Sequence, residues 1–540
     1  MGWTTHEVTN QVPDLVDYNL FTTDTVLQEA VLREGLEANS AFLSAYGAEL
    51  GQGDIIALAA ELDRHAPQLH THDRQGRRID TVNFHFGWHH FLSLGCRAGL
   101  GAPGGVARAA AFLMHGQIEA GTLCPLTMTA AAARILSRDS QYAYLSTQLG
   151  SREYDARDLP VIDKHGMLVG MGLTEKQGGS DLRRITTQAV AIPEEAGWFK
   201  IVGHKWFFSA PTADAHLVLA LLDGAPSCFY LPRRLLDGSL NGTRLQRLKD
   251  KLGNRSNASA EVEFHDARGT LVGEPGRGIA ILTEMAGYTR VDCVLGSAAL
   301  MRAAFVQAVH HARHRVAFGR PLIQQPMMRT VLFDLALEVE AALVLGMTLA
   351  RSLELQAEGS PLDQAFVRIV TPAAKFWVCK RAIPVVAEAM EVLGGNGYVE
   401  THVLPRLYRE APVNSIWEGS GNVMCLDVLR GLQRHPDLAG VLLDWLTDQC
   451  RDDHRLLRTL DAVKAHSGRP AQEAEAVARH IAGSLVVLVQ AVLLRNHAPA
   501  MISEAFMDLH LEGGGHGIVG MRASPIALDS VLERAWRAAC

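Results

Sequence analysis

The chain has 540 residues, 48% of them hydrophobic, and a formal net charge of −7. This length is too great for one compact core, so we expect several packed domains. The acidic balance excludes a general electrostatic attraction of the whole chain to nucleic acid.

Signals for export or for insertion into a membrane are weak. The first ten residues lack a charged segment followed by an apolar run, so no signal peptide is predicted. The longest apolar run, 481–494, is short and interrupted by Gln490, which favours a buried helix over a bilayer span. Eight scattered cysteines without a C-x-x-C spacing indicate reduced thiols. We therefore expect a cytoplasmic protein with no membrane contact.

The predicted elements change character along the chain. Helical spacing of apolar residues comes first, short alternating runs between Gly and Pro turns predict strands next, and long helical patterns follow. The longest of these helices are predicted at 279–315, 327–358 and 371–393. The sequence thus predicts an α+β fold in four domains, namely an N-terminal α-domain (1–166), a central β-domain (167–277), an α-helical domain (278–432) and a helical C-terminal extension (433–540).

The segment MGLTEKQGGSD, residues 171–181, is typical of a loop that holds phosphate and a flat polar ring. Apolar Met171 and Leu173 suggest the end of a strand. Gly178 and Gly179 allow the backbone to approach a ligand and to expose N–H groups to anionic oxygens. An ordinary turn is the alternative for this segment taken alone.

Three later segments carry similar signals. Residues 391–410 place three glycines at the end of a predicted helix, where a plain helix cap is the alternative. Residues 414–430 place Glu418 between Trp417 and a turn of small residues, which suits a desolvated carboxylate. Residues 313–329 combine basic residues, an aromatic-glycine turn and two glutamines.

In this order, the four segments resemble the acyl-CoA dehydrogenase family of flavoenzymes. Residues 203–209 look like the flavin-facing strand of that family, and residues 251–273 look like a late strand pair of its β-domain. The resemblance covers essentially the whole chain and is strongest to the branch of bacterial alkylation-response flavoproteins. It implies an acyl-CoA dehydrogenase-like fold, with an α-domain, a β-domain and an α-helical bundle, plus an extra helical domain.

The resemblance implies α,β-desaturation of an acyl thioester. A carboxylate removes the α-proton while the β-hydrogen leaves as hydride to the flavin, and the weak acidity of that proton requires a desolvated base. Glu418, directly before Gly419, matches the catalytic glutamate of the family. Some members carry the base on the first helix of the C-terminal α-domain, where this chain has Thr289. Glu418 is therefore the candidate base, and a surface glutamate is the alternative.

The resemblance also implies bound FAD, with Ser180 near its pyrophosphate and the phenylalanines of 207–209 behind its isoalloxazine. The residues assigned to the flavin side are Met171, Leu173, Thr174, Ser180, Phe207, Phe208, Ser209, Ile416, Trp417, Gly419, Ser420, Gly421 and Asn422. In dehydrogenases of this type a neighbouring subunit reaches the adenine half, so a homotetramer is predicted. The residues assigned to that half are Arg315, Phe318, Gln325, Gly394, Gly395 and Gly397.

Other patterns are weaker. Residues 99–104 match G-x-G-x-x-G, but a helical pattern precedes them where a dinucleotide site needs a strand. Two histidine sets, at 85–90 and 310–314, lack a carboxylate or cysteine to complete a metal site, so no metal is predicted. The basic run 244–255 falls between predicted strands and is interpreted as a solvated face.

The extension carries eleven basic and thirteen acidic residues, a net charge of −2. Duplex DNA binding therefore requires arginines that cluster on one face. Arg451, Arg455 and Arg458 fall at helical spacing, and Arg430 lies just before them. These four are the predicted DNA contacts, with a solvated helix face as the alternative.

Three functions remain open at this stage. The first is an FAD-containing alkylation-response flavoprotein with weak acyl-CoA dehydrogenase activity and duplex DNA binding. The second is a catabolic acyl-CoA dehydrogenase for a short branched acyl group. The third is a DNA-associated protein that uses FAD only structurally.

Overall fold

The computed structural model describes residues 5–33, 37–512, 517–521 and 528–537. It is rich in helices and has a central sheet, which confirms the predicted α+β fold. The chain divides into two compact units: Ala57–Asp292, here called the β-unit, and Met1–Ile56 with Cys293–Cys540, here called the α-unit. The four domain boundaries stay a prediction.

The first part of the chain is mainly helical, as predicted, but it also contains a β-hairpin that the sequence analysis missed. Its two strands pair antiparallel, and their half-buried polar residues, such as those of QLHTH, give little apolar alternation. In chain order the elements are α1 (Thr25–Arg33), α2 (Glu37–Leu50), α3 (Gly53–Arg64), β1 (Gln68–His72), β2 (Arg78–Asn83), α4 (Phe86–Arg97), α5 (Val106–Ile118), α6 (Leu123–Leu136) and α7 (Ser146–Leu149).

The strands predicted after residue 167 form one seven-stranded sheet. They are β3 (Val169–Gly172), β4 (Gln188–Ala191), β5 (Trp198–Ser209), β6 (Ala215–Leu222), β7 (Ala225–Pro232), β8 (Thr243–Leu248) and β9 (Ser259–Val272). Strand β6 pairs parallel with β3 and β4, and β7 pairs antiparallel with both β6 and β9, so the sheet closes on itself. Its interior is filled by apolar side chains that include Phe208, Phe229 and Phe264.

Long helices return after the sheet, close to the predicted bounds. The elements are α8 (Gly278–His314), β10 (Val316–Ala317), β11 (Arg320–Pro321), α9 (Pro326–Leu355), α10 (Pro361–Ala365), α11 (Thr371–Val392), α12 (Gly395–Tyr398), α13 (Leu404–Ile416) and α14 (Gly421–Arg434). A π-helical segment, Phe366–Val370, joins α10 to α11. Helix α11 accommodates Pro384 in its interior.

The extension is also helical. Its elements are α15 (Pro436–Cys450), α16 (His454–Ser467), α17 (Ala471–Ala476), α18 (Ala478–His497), α19 (Ala500–Leu511) and α20 (Leu528–Ala535). Helices α8 and α18 are long and apolar enough to cross a membrane, yet 89% and 78% of their apolar stretches are buried inside the structure, as in core helices. The apolar run 481–494 therefore forms a buried helix, as predicted.

Candidate active site

Within the β-unit, the glycine loop 171–181 follows strand β3 and is fixed to strand β5. The carbonyl oxygen of Thr174 accepts a hydrogen bond from the Trp206 N–H at 2.8 Å. Next to it, Glu175 is fully buried, and its carboxylate accepts a hydrogen bond from Lys205 Nζ at 2.7 Å. This ion pair joins the start of the loop to the strand that carries Phe207.

The Glu175 carboxylate also organises the chain beyond the loop. It accepts hydrogen bonds from the backbone N–H groups of Thr186 at 2.7 Å and Thr187 at 3.2 Å, and from both threonine hydroxyls. Burial alone raises the pKa of Glu175, but the Lys205 ammonium and these donors outweigh it and lower the pKa to about 2. Glu175 is therefore ionised and fully engaged, which makes it a structural carboxylate.

The glycines of the loop have different roles. Gly178 has a φ of 139°, and a side chain there would meet open space, whereas a Cβ on Gly179 would lie 2.3 Å from Thr174 Oγ1. Gly179 is thus required by a close approach inside the loop, and Gly178 by its backbone conformation. Ser180, the residue predicted to approach a pyrophosphate, is exposed.

Strand β5 separates the two predicted flavin-backing phenylalanines. Phe207 is 54% exposed, and Phe208 is 1% exposed because successive side chains of a strand point to opposite faces. The prediction for Phe208 is therefore wrong for its side chain, which packs on His216 in the sheet interior with ring centroids 3.9 Å apart. Sequence analysis missed Lys249, whose Nζ lies 3.3 Å from the ring centroid of Trp206 and 5.0 Å from that of Phe207.

Within the α-unit, Glu418 follows the end of α13 in an unusual backbone conformation. Its φ is +58°, in the left-handed region that residues other than glycine rarely adopt. Trp417 before it is anchored by a hydrogen bond from Nε1 to Asn414 Oδ1 at 3.0 Å. Gly419 after it also has a positive φ, of 107°. Such strained residues concentrate at functional sites, where the surrounding structure holds them.

The turn that contains Glu418 is held from helix α11. Lys375 is 1% exposed, and its Nζ donates hydrogen bonds to the carbonyl oxygens of Trp417, at 2.6 Å, and of Gly419. Ser420 occupies the N-cap position of α14, so the predicted residues 420–422 form the start of a helix, where backbone N–H groups lack helical acceptors. Thr289, the alternative position for a base, is buried and donates its hydroxyl to Ala286 O at 3.1 Å.

The residues assigned to the adenine half lie on the α-unit. Phe318 is 97% exposed at the tip of the β10–β11 hairpin. Gln325 Nε2 donates to Ala317 O at 3.0 Å, and the Arg315 guanidinium donates to Asn10 O. The predicted glycines at 394–397 follow α11, and Gly394 has a φ of 60°.

The arginines assigned to DNA do not share one helix. Arg451 follows the end of α15 and pairs with Asp448, whereas α16 carries Arg455 and Arg458. Arg455 is 9% exposed and contacts three carboxylates, those of Asp453, Glu504 and Asp508. Arg458 donates to Leu511 O at 2.9 Å. Arg430 is exposed on α14. The expected single stripe is thus interrupted, and DNA contact by these residues stays a prediction.

One histidine set acquires a carboxylate that the sequence analysis did not foresee. His85 Nε2 lies 3.5 Å from Glu61 Oε1, and its ring stacks on that of His65 at 5.0 Å. However, His85 Nδ1 accepts the N–H of Gly87 at 3.2 Å, which places the proton of a neutral imidazole on Nε2. That tautomer caps α4 and cannot use Nε2 as a metal ligand.

Family models match most of the chain. Residues 10–156 match the N-terminal domain of the adaptive response protein AidB, 170–267 the middle domain of acyl-CoA dehydrogenase, and 276–433 its C-terminal domain. The chain is 45% identical to the putative acyl-CoA dehydrogenase AidB of Escherichia coli K12, with 100% of both proteins covered. The chain belongs to the AidB branch of the acyl-CoA dehydrogenase family. This family consists of FAD-dependent oxidoreductases, which confirms the predicted family, fold class and cofactor class.

Other relatives agree with this membership. The acyl-CoA dehydrogenase family member 11 of Caenorhabditis elegans is 29% identical, with 89% of this chain and 84% of the relative covered. Among solved structures, Caenorhabditis elegans ACDH-11 in complex with C11-CoA has a TM-score of 0.82 at 26% identity, covering 94% of both chains. Butyryl-CoA dehydrogenase from Megasphaera elsdenii, at 23% identity and a TM-score of 0.55, shares the fold over 70% of this chain and 97% of its own.

The sequence analysis of this AidB-branch chain missed the two lysines that fix the candidate loops. Lys205 and Lys375 each interrupt an apolar run, GHKWFF and PAAKFW. A lysine inside such a run signals a buried ammonium that needs acceptors. Its acceptors cannot be read from the sequence, because they lie on distant segments.

Proposed function

We propose that this protein is an AidB-type FAD enzyme that removes the α-proton of an acyl-CoA thioester with Glu418. The observation that carries the proposal is the conformation of Glu418, a glutamate held at a φ of +58° between two anchored carbonyl groups. A left-handed backbone conformation is unfavourable for glutamate. Its occurrence at the position that matches the family's catalytic base favours a role in chemistry.

The residues of the β-unit loop fit the chemistry of FAD. Exposed Phe207 offers an aromatic face for a flat ring, and exposed Ser180 after two glycines offers a hydroxyl and backbone N–H groups for an anion. In the α-unit, Ser420, Gly421 and Asn422 present the N-terminus of α14, which also favours negative charge. When bound, FAD supplies the acceptor for the two electrons that leave the substrate.

The chain's own part in the reaction is a proton transfer. The Glu418 carboxylate takes the proton from the α-carbon, and the anchored turn keeps that carboxylate in one direction. An acyl-CoA as the ligand class is supported by the C11-CoA complex of the Caenorhabditis elegans relative. A catabolic enzyme for short branched acyl groups is the alternative.

The test is anaerobic reduction of the flavin by a panel of acyl-CoAs, from branched C4 and C5 to straight C12 chains. Bleaching of the visible flavin band that is slow in the wild type and absent in Glu418→Gln is the expected result. Fast bleaching by a branched short chain, at a rate that supports turnover, would favour the catabolic enzyme. Absence of bleaching by the whole panel would overturn the enzymatic proposal and leave a structural role for FAD.

We also propose that a second copy of the chain completes the FAD site in a homotetramer. Phe318, Met327 and Tyr398 are 97%, 85% and 81% exposed, and such apolar side chains are typical of a covered interface. Arg315→Ala is expected to lower FAD affinity and to loosen assembly together, because ligand binding and assembly are thermodynamically linked. Sedimentation velocity with and without added FAD measures both effects, and tight FAD binding by a monomer would contradict the proposal.

The proposed link to DNA alkylation rests on the relationship to AidB. We expect duplex binding that falls steeply with salt, as phosphate contacts require. Since Arg455 is enclosed by carboxylates, exposed Arg430 and Arg458 are the better contacts, and Arg455→Ala serves as the comparison. A mobility-shift titration without any complex at low salt would remove DNA from the proposed function.

A further inference from the structure

Lys375 is a buried cation whose two described hydrogen bonds go to backbone carbonyl oxygens. It lies on α11, directly after the π-helical segment Phe366–Val370, and it is 1% exposed. Its Nζ contacts Trp417 O at 2.6 Å and also Gly419 O. An ammonium removed from water needs such acceptors, because an unpaired buried charge is strongly unfavourable.

The two acceptors flank a single residue, Glu418. The Trp417 carbonyl lies in the peptide plane that ends at the Glu418 N–H, and the Gly419 carbonyl lies in the peptide plane between Gly419 and Ser420. Fixing these groups restricts the backbone rotation of the turn, and with it the direction of the Cα–Cβ bond of Glu418. Neither of the two bonds uses the Glu418 carboxylate, so they orient the side chain without consuming its acceptors.

The conformation that results is one the turn would not keep by itself. A glutamate at a φ of +58° is less stable than one in the ordinary helical or extended regions, so a free turn would relax. The side chain of Trp417 is also restrained, because its Nε1 donates a hydrogen bond to Asn414 Oδ1 at 3.0 Å. This second anchor orients the tryptophan but leaves the peptide after Glu418 unrestrained.

We propose that Lys375 is a positioning residue that holds the Glu418 turn in its left-handed conformation and thereby aims the carboxylate for proton removal. The inference rests on the proposed function for its catalytic part. Its structural part, the restraint of residues 417–419 by one ammonium, stands on the contacts alone.

The test compares Lys375→Met with wild type, both as full-length FAD-loaded protein. Methionine preserves most of the side-chain length and removes the charge and the donors. We expect backbone amides of residues 416–424 to exchange with deuterium at least about tenfold faster, because the turn opens locally. With an acyl-CoA that reduces the wild type, the saturating rate of flavin reduction should fall about 10-fold to 100-fold, since misplaced catalytic groups cost this much. The half-saturating acyl-CoA concentration should stay within about threefold, because a positioning residue acts on the proton transfer more than on substrate binding.

Lys464→Met is the matched control. Lys464 is an exposed lysine of α16 that donates to Thr447 Oγ1 at 2.9 Å, so its loss removes a charge and a hydrogen bond away from the turn. Wild-type exchange and wild-type reduction rate are expected in this variant. Lys375→Gln, which keeps amide donors on a shorter side chain, is expected to give intermediate values and replaces the methionine variant if that one fails to fold.

The outcomes separate the two levels of the inference. Unchanged deuterium exchange at 416–424 in the Lys375 variants would overturn the restraint itself. Faster exchange with an unchanged rate of flavin reduction would overturn the positioning role. If no acyl-CoA reduces the wild type, the proposed function fails, while faster exchange in the variants still supports the restraint.

Discussion

Two loops of this protein are fixed by buried lysines in different ways. In the β-unit, Lys205 on strand β5 pairs with the carboxylate of Glu175. In the α-unit, Lys375 on helix α11 holds the carbonyls on either side of Glu418. Both lysines are 1% exposed. The first loop is therefore held by an ion pair, and the second by hydrogen bonds from a cation to the backbone.

The difference separates a glutamate whose charge is committed to the fold from the glutamate that we propose as the base. The Glu175 carboxylate is fully buried and binds Lys205 together with the donors of Thr186 and Thr187, so its negative charge is committed to the fold. The two Lys375 contacts at the Glu418 turn go to the carbonyls of its neighbours, and the Glu418 side chain is partly buried. A carboxylate that must accept a proton benefits from the second arrangement, since its backbone is rigid while its charge is not committed to the lysine.

The strongest contrast is expected in activity. Glu418→Gln should slow flavin reduction by an acyl-CoA about 10³-fold or more, because it removes the base and keeps the shape. Its melting temperature and visible flavin spectrum should match the wild type. Stopped-flow absorbance at the flavin band measures the rate. A comparable loss of rate in a folded Glu175→Gln variant would contradict the division of roles.

The reverse contrast is expected in stability. Glu175→Gln leaves the Lys205 ammonium buried without its counter-charge, and breaking such a pair from one side costs about 3–5 kcal/mol of unfolding free energy. Urea unfolding followed by circular dichroism measures the change. The double variant Glu175→Gln with Lys205→Met is the control, and it should recover part of the loss because no charge remains buried. A double variant less stable than the sum of both single changes would contradict the ion-pair account.

Sequence reasoning singled out the candidate residues of both loops, which stay predictions, but not the groups that hold these loops. The glycines and Glu418 are local signals, readable because one residue type in one spacing suffices. Lys205 and Lys375 act on segments 30 and about 42 residues away, a pairing that depends on the tertiary structure. The side assignment of Phe208 was wrong because the register of β5, which decides which phenylalanine points inward, follows from its pairing with β9. The hairpin β1–β2 was missed because its strands are too polar to show an apolar alternation.

Acid should weaken the contacts of the loop that contains Glu175. The pKa of Glu175 in the folded protein is about 2, below its ordinary value of 4.5. The carboxylate therefore contributes stability that is present above pH 4.5 and is lost as the pH falls from there towards 2. The difference in unfolding free energy between wild type and Glu175→Gln should shrink by on the order of 1–3 kcal/mol over this window. Urea titrations at pH 6, 4.5 and 3 test it, and a difference that stays constant down to pH 3 would contradict the assigned pairing.

The smallest expected effects separate steric from conformational demands on the two loops. Gly419→Ala introduces a Cβ only 2.4 Å from Met424 Cε, but that methyl group ends a flexible side chain and can move, so the positive φ of 107° is the main cost, about 1 kcal/mol. Gly179→Ala places its Cβ 2.3 Å from Thr174 Oγ1 on a shorter, stiffer side chain. In the Gly179→Ala background, Thr174→Ala should therefore recover more stability than Thr174→Ser, because it removes the crowding hydroxyl. In the Gly419→Ala background, Met424→Ala should recover no stability. Melting temperatures of the two single glycine variants and the three double variants decide the matter. Recovery of Gly419→Ala by Met424→Ala would show that space, and not the left-handed backbone around Glu418, limits that turn.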